Sequence, residues 1–358
     1  MKIGRSLVDL AMELKRQLAT KRDLVLPTSL LQCRTGEGGN LRLIVEANSH
    51  TGFSGAEYGV TNLARRQLAD KLKIPFAYFE RMRESQPELL DHNVNTWLQA
   101  DGDRRLIRTL DGEVRAVLSE RYRRLDNFEL ADDLFPILLR LEGARFESVE
   151  LTQTKMYLKV VTPRVTFEVA PGDIVQAGVV VTNSEVGCGT LSVQPFLYRL
   201  VCKNGLIASD YALRKTHVGR SLASEEESLT VFKDDTLAAD DRAFFLKVRD
   251  VVEAAVSETT FRQVAMKLQK TRDIRLNRNL METVEVLANR YSFNDTERAG
   301  VLQHLISGGD LSGYGLVNAV THYSQDVEDY DRATDFEALG GKLIELTPNE
   351  WKGLAQAA

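Results

Sequence analysis

Residues 104–119 read RRLIRTLDGEVRAVLS, two seven-residue runs on either side of Asp111-Gly112. Asp-Gly suits a two-residue hairpin loop because both central residues of that turn need positive φ, which Gly adopts freely and Asp tolerates. The spacing predicts an antiparallel hairpin, and the chain can be read outward from it. Upstream, Leu7, Leu10, Leu14 and Leu18 recur at three- and four-residue steps and predict an amphipathic helix over 4–20. LVLPTSLLQC (24–33) and LRLIVEA (41–47) read as strands separated by the Gly-rich turn TGEGGN (35–40). Thr61 or Asn62 can cap a helix over 63–72, Pro75 suits the first turn of a helix over 75–84, and Lys73-Ile74 joins the two tightly.

Downstream, a helix over 127–141 precedes strand candidates at 146–153, 155–163, 165–170, 174–183 and 190–202, all rich in β-branched and aromatic residues. Asn204-Gly205 reads as a second hairpin-type turn. After residue 230 the apolar period lengthens to that of a helix, with segments at 240–256, 259–270, 279–291, 294–306 and 313–325. The expected fold class is α+β, a mainly antiparallel sheet with flanking helices, followed by an acidic helical C-terminal region. The expected division is an α+β sheet domain with a basic hairpin over 1–222 and the acidic helical region over 223–358.

At 358 residues the chain is long enough for about two domains and needs no disulfide or metal staple. With 43% hydrophobic and 27% charged residues it has an ordinary globular composition. No run approaches the roughly 18 apolar residues of a membrane helix, and the first residues alternate charge with Leu rather than forming a secretory apolar block. The expectation is a cytoplasmic protein of a bacterial or phage-infected cell, without membrane contact. Cys33, Cys188 and Cys202 are odd in number and lack metal-ligand spacing, so they read as reduced thiols. The five histidines form no metal motif, and no GxSxG or Walker-type loop occurs. No cofactor, metal or catalytic residue is expected. The net charge of -5 is uneven: residues 1–221 hold 31 Lys and Arg against 27 Asp and Glu, a net of +4, and residues 222–358 hold 15 against 24, a net of -9. A polyanion would favour the first part.

The basic signal concentrates at 104–124, where Arg104, Arg105, Arg108, Arg115, Arg121, Arg123 and Arg124 face only Asp111, Glu113 and Glu120. Arginines on a sheet, with Tyr122 among them to stack on a base, are the ingredients of a sequence-tolerant single-strand binder. A charged sheet edge that guards against aggregation is the plainer explanation of the same residues. Lys203, Arg214 and Lys215 form a second basic contribution. The helix pair over 63–84 has the rhythm of a helix-turn-helix, but Pro75, Phe76 and Ala77 stand where base-reading groups would be needed, so packing explains it better. VVVTNSEVGCGTLSV (179–193) contains a Gly-Cys-Gly link whose backbone amides offer a nest for an anion or simply a loop between strands. Asp173, Glu185 and Asp210 would have to converge for a metal-dependent nuclease.

RTLDGEVRAVLSERYRRLDN (108–127), GVVVTNSEVGCGTLSVQPFLYRLVCKNGL (178–206) and GYGLVNAVTHYSQD (313–326) together resemble the phage/plasmid-like protein family, whose function is unknown, over about residues 50–335. The resemblance implies service to mobile elements, in replication, recombination or defence, and assigns no site residue. In outline the expected architecture is also similar to phage single-strand annealing proteins of the RecT and Erf kind, which implies an oligomer holding one DNA strand in a basic groove. The leading expectation is a non-enzymatic, homo-oligomeric binder of single-stranded nucleic acid, most naturally DNA, in strand annealing or recombination. The alternatives are a protein-interaction or counter-defence factor using the acidic helices, and the nuclease.

Overall fold

The computed structural model describes residues 1–47, 54–122, 124–208, 234–276 and 279–355, with backbone alone for 234–241 and 355. Packing divides the chain into two units. One, the hairpin unit, comprises Ala11–Phe128 and Ser184–Gly189; the other, the helical unit, comprises Met1–Leu10, Glu129–Asn183 and Thr190–Ala358. This division differs from the change in composition at 222/223, which falls outside the described residues.

The predicted N-terminal helix is α1 (Leu7–Thr20), and the hairpin unit is built on six strands: β1 (Arg22–Pro27), β2 (Leu31–Thr35), β3 (Leu41–Val45), β4 (Ala56–Val60), β5 (Arg104–Leu110) and β6 (Glu113–Ser119). Their order is β1-β5-β6-β4-β3-β2, antiparallel throughout except for the parallel β4–β6 pair. The predicted hairpin is β5–β6, with Asp111 at φ 52 and Gly112 at φ 79. The run 24–33 becomes two strands because the chain turns through Thr28–Leu30 just after Pro27. One sheet face is covered by α2 (Asn62–Lys71), α3 (Phe76–Ser85) and α4 (Pro87–Ala100), whose Leu68, Phe79, Leu90, Val94 and Leu98 share a core with Leu43, Ile107 and Val117. Thr61 caps α2 through its side chain, and Lys73 takes the left-handed conformation that the tight joint requires. Helix α4, beyond the pair expected from the sequence, also shields the β2 edge. Asn95 exchanges hydrogen bonds with the Cys33 backbone, and Asp91 accepts from the Thr35 amide at 2.9 Å.

The helical unit has a five-stranded antiparallel sheet of β7 (Arg145–Leu151), β8 (Met156–Ala170), β9 (Asp173–Asn183), β10 (Ser192–Arg199) and β11 (Gly205–Ile207), in the order β11-β10-β9-β8-β7. Segments 155–163 and 165–170 prove to be one long strand, β8, whose pairing slips between Thr162 and Thr166, around Pro163. Pro lacks the donor that a regular ladder requires, so an irregularity there is expected. The β10–β11 turn runs through Leu200–Asn204, with Lys203 at φ 50 and Gly205 already in β11. The turn is thus centred earlier than Asn204-Gly205 suggested. Helices α5 (Asn127–Leu139), α6 (Asp234–Ala255), α7 (Glu258–Lys270), α8 (Leu280–Tyr291), α9 (Asp295–Gly308), α10 (Gly313–Tyr323), α11 (Tyr330–Ile344) and α12 (Pro348–Ala355) complete the unit. Phe261, Leu268, Leu287, Leu316 and Phe336 bury against Val169, Val175, Ala177, Leu197 and Leu206 of the strands. Among the described residues no helix is long and apolar enough to cross a membrane.

Candidate nucleic-acid interface

The arginines of the hairpin divide sharply by environment. Arg108 is fully buried, and its guanidinium meets both carboxylate oxygens of Asp23 at 2.9 and 3.1 Å, Asp126 at 2.5 Å and the Glu185 carbonyl at 2.8 Å. Asp23 is its cross-strand partner in β1. Burial works against the Arg108 charge, but the bonds to Asp23 and Asp126 outweigh it and keep the group protonated. Burial likewise pushes the Asp126 carboxyl up, and the bonds from Lys21 and Arg108 reverse this, holding it below the ordinary range. Lys21 reaches Asp126 at 2.7 Å and Glu185 at 3.5 Å. Glu185 also pairs with Arg115 and accepts the Asn127 amide at 2.5 Å. Six charged groups and a loop are therefore closed into one network within the hairpin unit.

Ion pairing changes the role of three predicted contacts. Arg108 has no solvent-facing surface, so it cannot touch a phosphate, and its assignment as a nucleic-acid contact is corrected to a structural one. Arg115 is spent on Glu185, and Arg105 is spent on Asp101 and Asp103, each at 2.8 Å. Tyr122 is half-buried, its hydroxyl donating to the Ser184 carbonyl at 2.8 Å. Arg104, Arg121 and Arg124 are exposed; Arg104 lies 3.5 Å from Glu120 and Arg124 lies 3.7 Å from Asp23. Arg123, Arg214 and Lys215 lie outside the described residues. Lys203 is exposed in the β10–β11 turn of the helical unit.

Two exposed cations lie outside the basic segment 104–124. Arg34 and Arg42 stand directly opposite each other in the β2–β3 register. Arg42 continues across to Gly59, and Gly59 to Glu113, on the sheet face opposite α2–α4. Arg104 shares that face, being two and four residues from Leu106 and Arg108. Like charges placed opposite each other repel, and the only carboxylate within ion-pair range of the two among the described residues is Glu57, 3.9 Å from Arg42. The signal was the period-two alternation of LQCRT and LRLIV. It places both arginines outward but does not reveal their pairing.

The Gly-Cys-Gly link does not form an open anion nest. The Ser184 hydroxyl accepts the Val186 amide at 3.3 Å and the Cys188 amide at 2.9 Å, while Val186 packs on Leu106, Ala116 and Leu118. Gly187 is favoured there by its φ of 80, a left-handed conformation that L side chains rarely adopt. The helix pair α2–α3 is a packing unit, tied together by Arg65 of α2 on Glu80 of α3 at 3.0 Å. Of the carboxylates a nuclease would need, Asp173 is clamped by Arg199 at 2.6 Å and by the Tyr314 hydroxyl, and Glu185 belongs to the network above. Asp210 lies outside the described residues, and among those described no group of three His, Cys, Asp or Glu is arranged to hold a metal.

Residues 114–339 match the model of a protein family described as Domain of unknown function (DUF932). Neither a curated protein nor a solved structure matches the chain.

Proposed function

We propose that this chain, which belongs to the DUF932 family, is a binder of single-stranded nucleic acid that serves a phage or plasmid in strand annealing or recombination. It acts as a homo-oligomer and performs no bond-breaking chemistry. The observation that carries this reading is the exposed cross-strand pair Arg34–Arg42 on the sheet face opposite α2–α4, with Arg104, also exposed, on the same face, whose β5–β6 part Val186 covers. Arg34 has no ion-pair partner among the described residues and Arg42 has only Glu57, at 3.9 Å, so a polyanion stabilises the pair, and a phosphate backbone supplies one without requiring base-specific contacts. Arg121 and Arg124, just beyond β6, add exposed charge in the same unit.

The test is fluorescence anisotropy with labelled single- and double-stranded oligonucleotides across a salt series, with mass photometry on the same samples. Five phosphate contacts on a single strand give a log–log salt slope of about -3.5, since each contributes about 0.7. Reversing Arg34 and Arg42 to Glu should reduce that slope by about 1.4 with unchanged thermal melting. Adding Arg104→Glu, Arg121→Glu and Arg124→Glu should abolish binding. Binding that survives all five reversals, or that is insensitive to salt, overturns the assignment.

A further inference from the structure

The helical unit holds a cavity for which strand binding on the hairpin unit has no use. It lies among the end of α7, the turn Thr271–Asp273 and the segment from Ile344 into α12, and measures about 580 Å³. That is within the roughly 300–1,000 Å³ of sites that take small organic ligands. Its wall has two characters. Ile274, Ile344, Leu346 and Trp351 give it apolar surface; Lys267, Lys270, Arg275 and Lys352 give it positive charge, and Asp273 is its one carboxylate.

The balance of charge is unusual for its surroundings. Residues 222–358 are strongly acidic, yet 267–278 contain Lys267, Lys270, Arg272, Arg275 and Arg278 against Asp273 alone. Glu345 engages Lys267 at 2.7 Å. Lys270, Arg275 and Lys352 make no ion pair among the described residues. Three unmatched cations around one apolar hollow repel each other, and an anion seated among them removes that cost. The anion must also carry a ring-sized apolar body for the wall and a hydrogen-bond donor for Asp273.

We propose that this cavity is a nucleotide-binding site. The phosphate is held by Lys270, Arg275 and Lys352, the base lies against Trp351 and Ile344, and Asp273 accepts from a ribose hydroxyl or a base amino group. A fatty anion matches the charge and the apolar wall but offers Asp273 no donor. The nucleotide is either free or one unit of a strand, and the same chemistry serves both.

Trp351 makes the test direct. The chain has two tryptophans, so in a Trp97→Phe background all tryptophan emission comes from the cavity wall. Titrations of the full-length protein with AMP, ATP, a short oligonucleotide, inorganic phosphate and decanoate separate the outcomes. A saturable change with AMP or ATP supports a free nucleotide, and one with the oligonucleotide alone supports a strand unit. In either case Lys270→Glu with Arg275→Glu must weaken binding at least tenfold with unchanged melting. Lys352→Glu, on an exposed position of α12, provides a second reversal if the double variant misfolds. A response to decanoate or phosphate alone, no saturable response, or affinity indifferent to charge reversal overturns the site. The Arg34 and Arg42 reversals should leave the mononucleotide titration unchanged, so failure here and failure of the strand-binding proposal remain distinguishable.

Discussion

Arg108 shows how a single residue can be misjudged from composition. Within 104–124 it is one arginine among seven, yet it is the one wholly withdrawn from water, held by Asp23, 85 residues earlier, and by Asp126. Removing one member of a buried ionic cluster leaves its partners uncompensated and costs about 3–5 kcal/mol. Arg108→Met should therefore lower stability by that amount in urea unfolding, whereas Arg121→Met, at an exposed position, should stay within about 0.5 kcal/mol. Equal effects would contradict the network. The same network sets a pH dependence. The folded-state pKa of Asp126 is depressed, so its contribution is fully present above its unfolded value of about 3.9 and is lost as pH falls through the folded value. Stability should drop below about pH 4, and in Asp126→Asn, which is weaker at neutral pH, the drop should be shallower.

At the level of elements, the hairpin and the capped helices were legible because their signals are local. Asp111-Gly112 needs only its own backbone, and Thr61 caps α2 by accepting the Ala64 amide three residues on. Helix α11 was not legible, and Gly340-Gly341 near its end shows why. Two glycines cost a helix roughly 2 kcal/mol in propensity relative to alanine. They are required because a Cβ on Gly340 would lie 2.2 Å from Thr321, and one on Gly341 would lie 1.9 Å from the Ile207 carbonyl oxygen. The helix thus approaches β11 more closely than any side chain permits. Gly341→Ala, a stabilising change in an exposed helix, should here destabilise by up to about 3 kcal/mol, read as a fall in melting temperature. A rise would mean that the close approach does not exist.

For the whole molecule, composition and packing draw different boundaries. Charge changes sign near 222, but the strands β8–β11 before that point share one core with the helices after it. A fragment ending at 222 keeps every residue of the hairpin unit and strips Phe261, Leu268, Leu316 and Phe336 from Val169, Val175 and Leu197. It should expose a large apolar sheet face, bind a hydrophobic dye and aggregate. A monomeric, dye-negative fragment would show that the sheet does not depend on the helices. Similarly, the family match begins at Val114, inside β6, so a fragment of 114–339 lacks β5 and the remaining strands of its sheet.

The amino-acid order alone determined the fold class, the β5–β6 hairpin, most helices and the uneven distribution of charge, because periodicity, turn chemistry and capping act over a few residues. It also pointed to 104–124 as the basic region. Only the tertiary structure decided which of those arginines face water. Arg105 pairs locally with Asp101 and Asp103, but Arg108 and Arg115 are paired by carboxylates brought from 18 to 85 residues away, and local sequence carries no trace of them. The same holds for Arg34 and Arg42, which become a site only when β2 and β3 are in register, and for the cavity beside Trp351, whose wall joins α7 to α12.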